Sequence, residues 1–301
     1  MEFGKLQDIS QVDFRLPPDA PFSWEALLRG DDTEPAPVLY IGCTGWGMPE
    51  WVGTVYPAGA KPKDFLRHYA RQFNTIEHNT THYRIPTPET VAKWREETPA
   101  DFRFCPKIPQ VISHSGDLGL GGEALWQFCE VIALLDDKLG CCFLQLPPYF
   151  GPEKMPVISR FASRFPKHIP LALEVRHPGW YADAGAAAAL FDLLESEGMS
   201  TVLTDVAGRR DVLHMRLTTS TVLVRFVGNA LHPSDYSRCD DWITRLRNWY
   251  ENGLKEVYFF THEPDNLLAP QLAQYLWQQA AAQLGVQVRG PSWQDRQMSL
   301  F

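Results

Sequence analysis

Eight short runs of apolar, β-branched and aromatic residues, mostly at intervals of about thirty residues, dominate the chain from residue 38 onward. They are VLYIG (38–42), FNTIE (73–77), FRFCP (102–106), CCFLQL (141–146), LALEV (171–175), TVLTD (201–205), TVLVRF (221–226) and EVYFFTH (256–262). Between most of them lie helical patterns. In GEALWQFCEVIALLDDKLG, residues Leu125, Phe128, Ile132 and Leu135 share one face, and Gly140 is placed to stop the helix. PETVAKWREE opens with Pro and then Glu, a good helix start. This alternation predicts an α/β fold, a TIM-like (β/α)8 barrel, with an open doubly wound sheet as the alternative. Against the open sheet, no G-x-G-x-x-G follows the first run. Residues 206–220 leave little room for a crossover helix, so the sixth and seventh strands should be joined irregularly.

The barrel should span residues 38–285. Residues 1–37 are rich in Pro and acidic residues and read as a partly irregular N-terminal extension, with one short helix at SWEALLRG. Residues 286–301 read as a C-terminal tail. The longest apolar runs fall far short of the roughly 20 residues that span a bilayer, and the first residues lack a secretory pattern. No membrane partner is expected, and the chain reads as cytoplasmic. Six cysteines without a C-x-x-C pair point to reduced, buried thiols, with Cys43 in IGCTGW more plausible as a small turn residue than as a nucleophile. The formal charge of −8 and the absence of a long Lys/Arg run disfavour nucleic acid as a partner. Oligomeric state is not legible.

In barrels of this class chemistry gathers at the C-terminal strand ends. Those ends supply Glu77, Lys107, Gln145, Glu174 with Arg176, Asp205, Arg225 and His262, one set per strand from the second to the eighth. Alternation supports the reading. Glu174 and Arg176 share a face with Ala172; Glu77 shares one with Thr75 and Asn79; Arg225 shares one with Leu223. Three carboxylates facing three cations suit an anionic or hydroxyl-rich ligand, with Glu77, Glu174 or Asp205 available for acid–base work. A purely structural ion-pair lattice is the competing reading.

No cofactor is expected. Glu77, Glu174, Asp205 and His262 could together supply N and O ligands to a divalent metal, but they form no compact ligand motif and cations are interleaved among them. His114 and His177, in loops after the third and fifth strands, are candidate acids. Trp46 is a candidate ligand contact, although it, Trp51 and Tyr56 read first as packing.

The blocks IGCTGWGMPEWVGTVYP, TIEHNTTHYRIP, LQLPPYF and EVRHPGW, in this order, resemble the bacterial and archaeal YecE-like proteins, domain of unknown function family 72. The resemblance covers roughly residues 38–280 and implies a TIM-like barrel without an established activity. The family's motifs fall on Gly45 and Trp46; on Glu77, Asn79, Thr80 and Tyr83; on Lys107, Ser113 and His114; on Gln145, Leu146 and Pro147; on Glu174, Arg176 and His177; and on Arg225. The chain departs from the pattern at His82, usually aromatic, at Val227 and Gly228, usually His-Gly, and at Thr261 and His262, usually paired asparagines.

The combined expectation is an enzyme that binds a small anionic or phosphorylated, hydroxyl-rich ligand at the barrel mouth. Trp46, Asn79, Tyr83, Lys107, Gln145, Arg176, Arg225 and His262 would bind it, and Glu77, Glu174, Asp205, His114 and His177 would carry carboxylate and imidazole acid–base chemistry. Lyase, isomerase and hydrolase chemistry suit these residues equally. A metal-dependent nucleic-acid hydrolase and a non-catalytic ligand-binding barrel are the alternatives.

Overall fold

The computed structural model describes residues 3–28 and 36–293. The eight predicted strands are present: β1 (Val38–Gly42), β2 (Thr75–His78), β3 (Arg103–Pro106), β4 (Cys142–Gln145), β5 (Leu171–Glu174), β6 (Ser200–Asp205), β7 (Thr221–Val227) and β8 (Glu256–His262). A ninth, β9 (Gln287–Arg289), forms in the segment expected as a tail and pairs with β1. All pairings between these strands are parallel, and helices such as Pro88–Glu97 and Ala269–Gln283 occupy the predicted intervals.

The ladder does not close as a continuous barrel would require. The strands form one seven-stranded sheet, β4-β5-β6-β7-β8-β1-β9, and a separate pair, β2-β3. At the first seam the Asn74 side chain replaces the missing ladder, accepting from Ile41 N (2.7 Å) and donating to Leu39 O (3.0 Å). One backbone bond, from Glu77 N to Cys43 O (3.0 Å), lies above it. Gly42 permits the approach, since a Cβ there would fall 2.2 Å from Thr75 O. At the second seam only isolated bridges join β3 to β4, at Phe104–Leu139 and Lys107–Phe143. The architecture is therefore a mostly parallel α/β fold with a large open sheet.

Alternation sorts the core into two bodies. Tyr40, Cys105, Phe143, Ala172, Val202, Leu223, Tyr258 and Phe260 pack together on one side of the strands. The larger body, including Ile41, Ile76, Leu203, Val224 and Phe259, packs against the helices. All six cysteines are buried and unpaired. Burial pushes the Cys43 thiol up to about 12, so it stays protonated, as suits a small packed residue.

One expectation needs correction. The helix Ala124–Ala133 ends well before Gly140, and the chain passes through a short 3-10 turn at Asp136–Lys138, with Asp136 at φ 53°. Gly140 instead serves the seam, where its N–H donates to Phe104 O (2.8 Å). The N-terminal extension packs against the rest of the fold. Between β6 and β7 the only helical turn is Arg210–Val212, as the short interval predicted. The N-terminal segment packs beside that connection. Ser23 bonds Met215 O and Leu217 N, Arg216 donates to Pro21 O, and Asp19 accepts from Arg245 and Trp249. The expected helix at SWEALLRG appears as Ser23–Leu28, and its last two residues lie outside the described ones. No helix among the described residues is long and apolar enough to cross a membrane.

Candidate functional site at the strand ends

The C-terminal strand ends carry one connected network of polar side chains. Arg225, at the end of β7, is its hub. Its Nε and Nη2 donate to the two oxygens of Glu77 (2.9 Å each), and its Nη1 donates to Glu174 Oε2 (2.8 Å). Phe143 lies beneath the guanidinium at 5.6 Å. Glu174 also accepts from Arg176 Nε (2.7 Å) and from Gln145 Nε2 (2.8 Å). Gln145 turns its oxygen to Lys107 Nζ (2.9 Å). On the other flank Glu77 accepts from Asn79 Nδ2 and His262 Nε2, both at 2.9 Å. Eight of the predicted site residues are thus brought together from β2, β4, β5, β7 and β8 and the residues that follow β2, β3 and β5.

Burial alone would raise both carboxyls, but adjacent cations and hydrogen-bond donors outweigh it. Arg225 and His262 hold Glu77 well below the usual range, and Arg176 with Arg225 brings Glu174 down to about 2. Both are ionised and fully hydrogen-bonded, which makes them poor proton acceptors and good anchors. His262 is lowered by burial despite Glu77, so its neutral imidazole donates through Nε2.

Lys107 differs from its neighbours. Burial, and after it the charge of Arg225, lowers its ammonium from 10.5 to about 8. Gln145 Oε1 is its hydrogen-bond acceptor, and Lys107 is in no ion pair among the described residues. An ammonium carries three donors, so this leaves it hydrogen-bonding capacity to offer a ligand.

The remaining predicted residues are placed differently. Asp205 turns to the opposite side of the sheet, where it meets Arg238, Arg210 and Trp242 Nε1 (2.8 Å). The register explains this. Arg225 pairs with Thr204, whereas Asp205 pairs with Phe226, so the site-facing residue at that strand end is Thr204. Asp205, Glu77, Glu174 and His262 therefore do not gather round one point, and among the described residues no three His, Cys, Asp or Glu side chains form a metal-holding group.

His114 lies exposed at the rim, lowered by burial and by Lys107, with its ring 5.7 Å from His82 and 6.4 Å from Tyr149. His177 accepts from Gly179 N (3.0 Å) within its own loop. Tyr83 is 81% exposed. Trp46 packs against His78 and Trp94, 4.9 and 6.3 Å away, consistent with its packing reading. At the departure His82, Nδ1 bonds Ile108 O (3.0 Å).

Three features escaped the sequence. Thr204 Oγ1 is buried without a hydrogen-bond partner, and alternation along TVLTD would have selected it over Asp205. Phe3 lies over the guanidinium of Arg176 at 4.1 Å, a contact no local pattern signals. Glu263, next to His262, is buried and has one unpartnered oxygen. A larger cavity of about 730 Å³, lined by Tyr40, Arg103, Glu256 and Arg289 among others, opens at the N-terminal strand ends, away from the network.

Residues 40–298 match the family described as "Protein of unknown function DUF72". UPF0759 protein YecE of Escherichia coli K12 is 33% identical over 259 residues, which span 80% of this chain and 92% of that protein. UPF0759 protein YunF of Bacillus subtilis 168 is 29% identical over 152 residues, 48% of this chain and 53% of its own length. The crystal structure of a DUF72 family protein from Enterococcus faecalis V583 superposes with a TM-score of 0.65 at 21% identity, covering 86% of this chain and 100% of that one. One from Thermotoga maritima MSB8 gives 0.60 at 23%, covering 81% and 98%. Family match, relatives and fold agree: this chain belongs to the DUF72 family.

Proposed function

We propose that this protein is an enzyme of TIM-like barrel design, the two seams notwithstanding, that binds a small phosphorylated or carboxylated, hydroxyl-rich molecule at the C-terminal strand ends. The observation that carries this reading is Lys107. It is a cation within the polar network whose acceptor is a neutral amide, whereas Arg225 and Arg176 lie against carboxylates. An anion seated beside it would supply the missing counter-charge, and Thr204 offers a hydroxyl on the same side of the strands.

In this reading the acid–base roles shift. Glu77 and Glu174 hold Arg225 and Arg176 in place rather than accept protons. Lys107, lowered to about 8, can hold or release a proton near neutral pH, and His114 at the rim is its partner. Such a pair serves proton abstraction or leaving-group protonation, the shared step of lyases, isomerases and hydrolases. No nucleic-acid reading is favoured: the cations of the site are largely neutralised internally and the chain's charge is −8.

The test is thermal-shift and calorimetric titration with inorganic phosphate and a panel of small phosphorylated and carboxylated metabolites. Wild type should be stabilised by a subset of anions, and Lys107→Met should lose that response while remaining folded. Indifference of wild type to every anion, or an unchanged response in folded Lys107→Met, would reject the site. Binding without turnover of any stabilising ligand would leave the non-catalytic barrel as the surviving reading.

A further inference from the structure

Beside the network lies a second, separately built cavity of about 310 Å³, between the N-terminal segment and the ends of β6, β7 and β8. Its wall is largely apolar, from Leu6, Ile9, Val206, Ala207 and Val227. The segment is tied down by Gly208 N donating to Gly4 O (2.8 Å), and it lies before the part of the chain that matches the family.

One group in this wall is out of keeping with the rest. Glu263 is only 2% exposed. Its Oε2 accepts from Ala230 N (2.8 Å), while its Oε1 has no hydrogen-bond partner. Glu263 is in no ion pair among the described residues, in contrast to Glu77, Glu174 and Asp205. Gly228 makes room for it: a Cβ there would fall 2.4 Å from Oε1. Ala230 and Leu231 adopt φ of 59° and 57°, a conformation costly for non-glycine residues, in the loop that brings Ala230 N to the carboxylate. A buried carboxyl with an unmet oxygen, lining an apolar cavity, lacks a cationic donor.

We propose that this cavity is a binding site for a small organic amine, whose ammonium pairs with Glu263 and whose hydrocarbon body fills the apolar wall. The site is independent of the anion site, although His262 lines this cavity and also bonds Glu77. Burial, with Asp235 nearby, raises the Glu263 carboxyl to about 7, so an ammonium ligand favours its ionised form. The other charged or titratable groups around it include Asp235, Tyr236 and Arg238 on the helix Pro233–Glu251, His262 on β8, His232 in the loop and Lys5 on the N-terminal segment. Affinity for an amine that stays protonated should therefore rise with pH, by about tenfold from pH 6 to pH 8, while a neutral alcohol gains nothing.

The experiment is calorimetric titration of the full chain with cyclohexylamine, and with cyclohexanol and cyclohexanecarboxylate as controls of matching shape. Saturable amine binding that tightens about tenfold from pH 6 to pH 8 and vanishes in Glu263→Gln is expected. Leu6→Trp fills the cavity from a partly exposed position, so it carries the same test if Glu263→Gln does not fold. Lys107→Met should leave amine binding intact, which separates failure of this site from failure of the anion site. Absence of amine binding between pH 6 and 8, equal binding of the alcohol, or retained binding in folded Glu263→Gln or Leu6→Trp overturns the proposal.

Discussion

Two ionic clusters stand at the strand ends, and they contrast. Around Arg225, two carboxylates, two amides, an imidazole and a second arginine meet on the side of the strands that carries Phe143 and Leu223. Around Arg238, on the other side of the sheet, Asp205 and Asp235 meet beneath the helix Pro233–Glu251, sealed by Trp242, Phe14 and Phe226. Both are buried, and both hold arginine between carboxylates. Only the first adjoins a cation that is in no ion pair, Lys107. A charge ending an apolar strand is therefore no sign of function by itself. What matters is which side the pleat gives it and whether its neighbours leave a valence unmet.

The sharpest way to break the contrast is Arg225→Leu, which strips two carboxylates of their main partner at once. Its cost should reach about 5 kcal/mol, read by urea denaturation. The pH profile adds a sign. Glu77 and Glu174 lie below their ordinary 4.5 when folded, so their contribution is complete above about pH 5 and fades on acidification toward the Glu174 value of about 2. The variant's deficit relative to wild type should accordingly shrink as pH falls from about 5 to 2; a constant deficit would show that the carboxylates are not held by Arg225.

Asp205→Ala tests the other cluster. It leaves Arg238 short of a carboxylate in a sealed site, with an expected loss of about 3–4 kcal/mol and no change in the anion response. If that response disappears while the protein stays folded, the two clusters are not separate.

Lys107→Met should act in the opposite direction. A lysine lowered to about 8 when folded and near 10.5 when unfolded costs stability below pH 8, and the cost vanishes as pH approaches 10.5. With partial solvent screening the variant should be more stable by about 1–2 kcal/mol at pH 7, with the gain gone by pH 10.5. A destabilised variant would mean that Lys107 already has its counter-charge. The smallest effect belongs to Asn79→Ala, which removes one donor from Glu77 and should cost about 1 kcal/mol in thermal unfolding; a loss several times larger would make Asn79 part of the frame.

The strands were readable because each couples an apolar run to a turn, and two sets of boundaries, 38–42 and 256–262, coincide with the observed strands. The network was readable wherever alternation was applied, at Glu77, Glu174, Arg176 and Arg225. It misled at Asp205, where position at the strand end was used without the alternation that places Thr204 beside Arg225. The seams were not legible, because they depend on Asn74 standing in for backbone partners. Neither was the position of the N-terminal segment, whose contacts reach across the chain to residues 215–249.

Those last contacts bear on how the protein is made. The surface that receives Pro17, Asp19 and Ser23 is assembled from Met215, Arg216, Arg245 and Trp249. On a ribosome Pro17, Asp19 and Ser23 emerge well ahead of Arg245 and Trp249, the last parts of their seat to be synthesised. Closing so long a loop is entropically expensive and kinetically late, so a segment synthesised long before its seat docks late, and substitutions at Asp19 or Ser23 would disturb a late step of maturation rather than an early one.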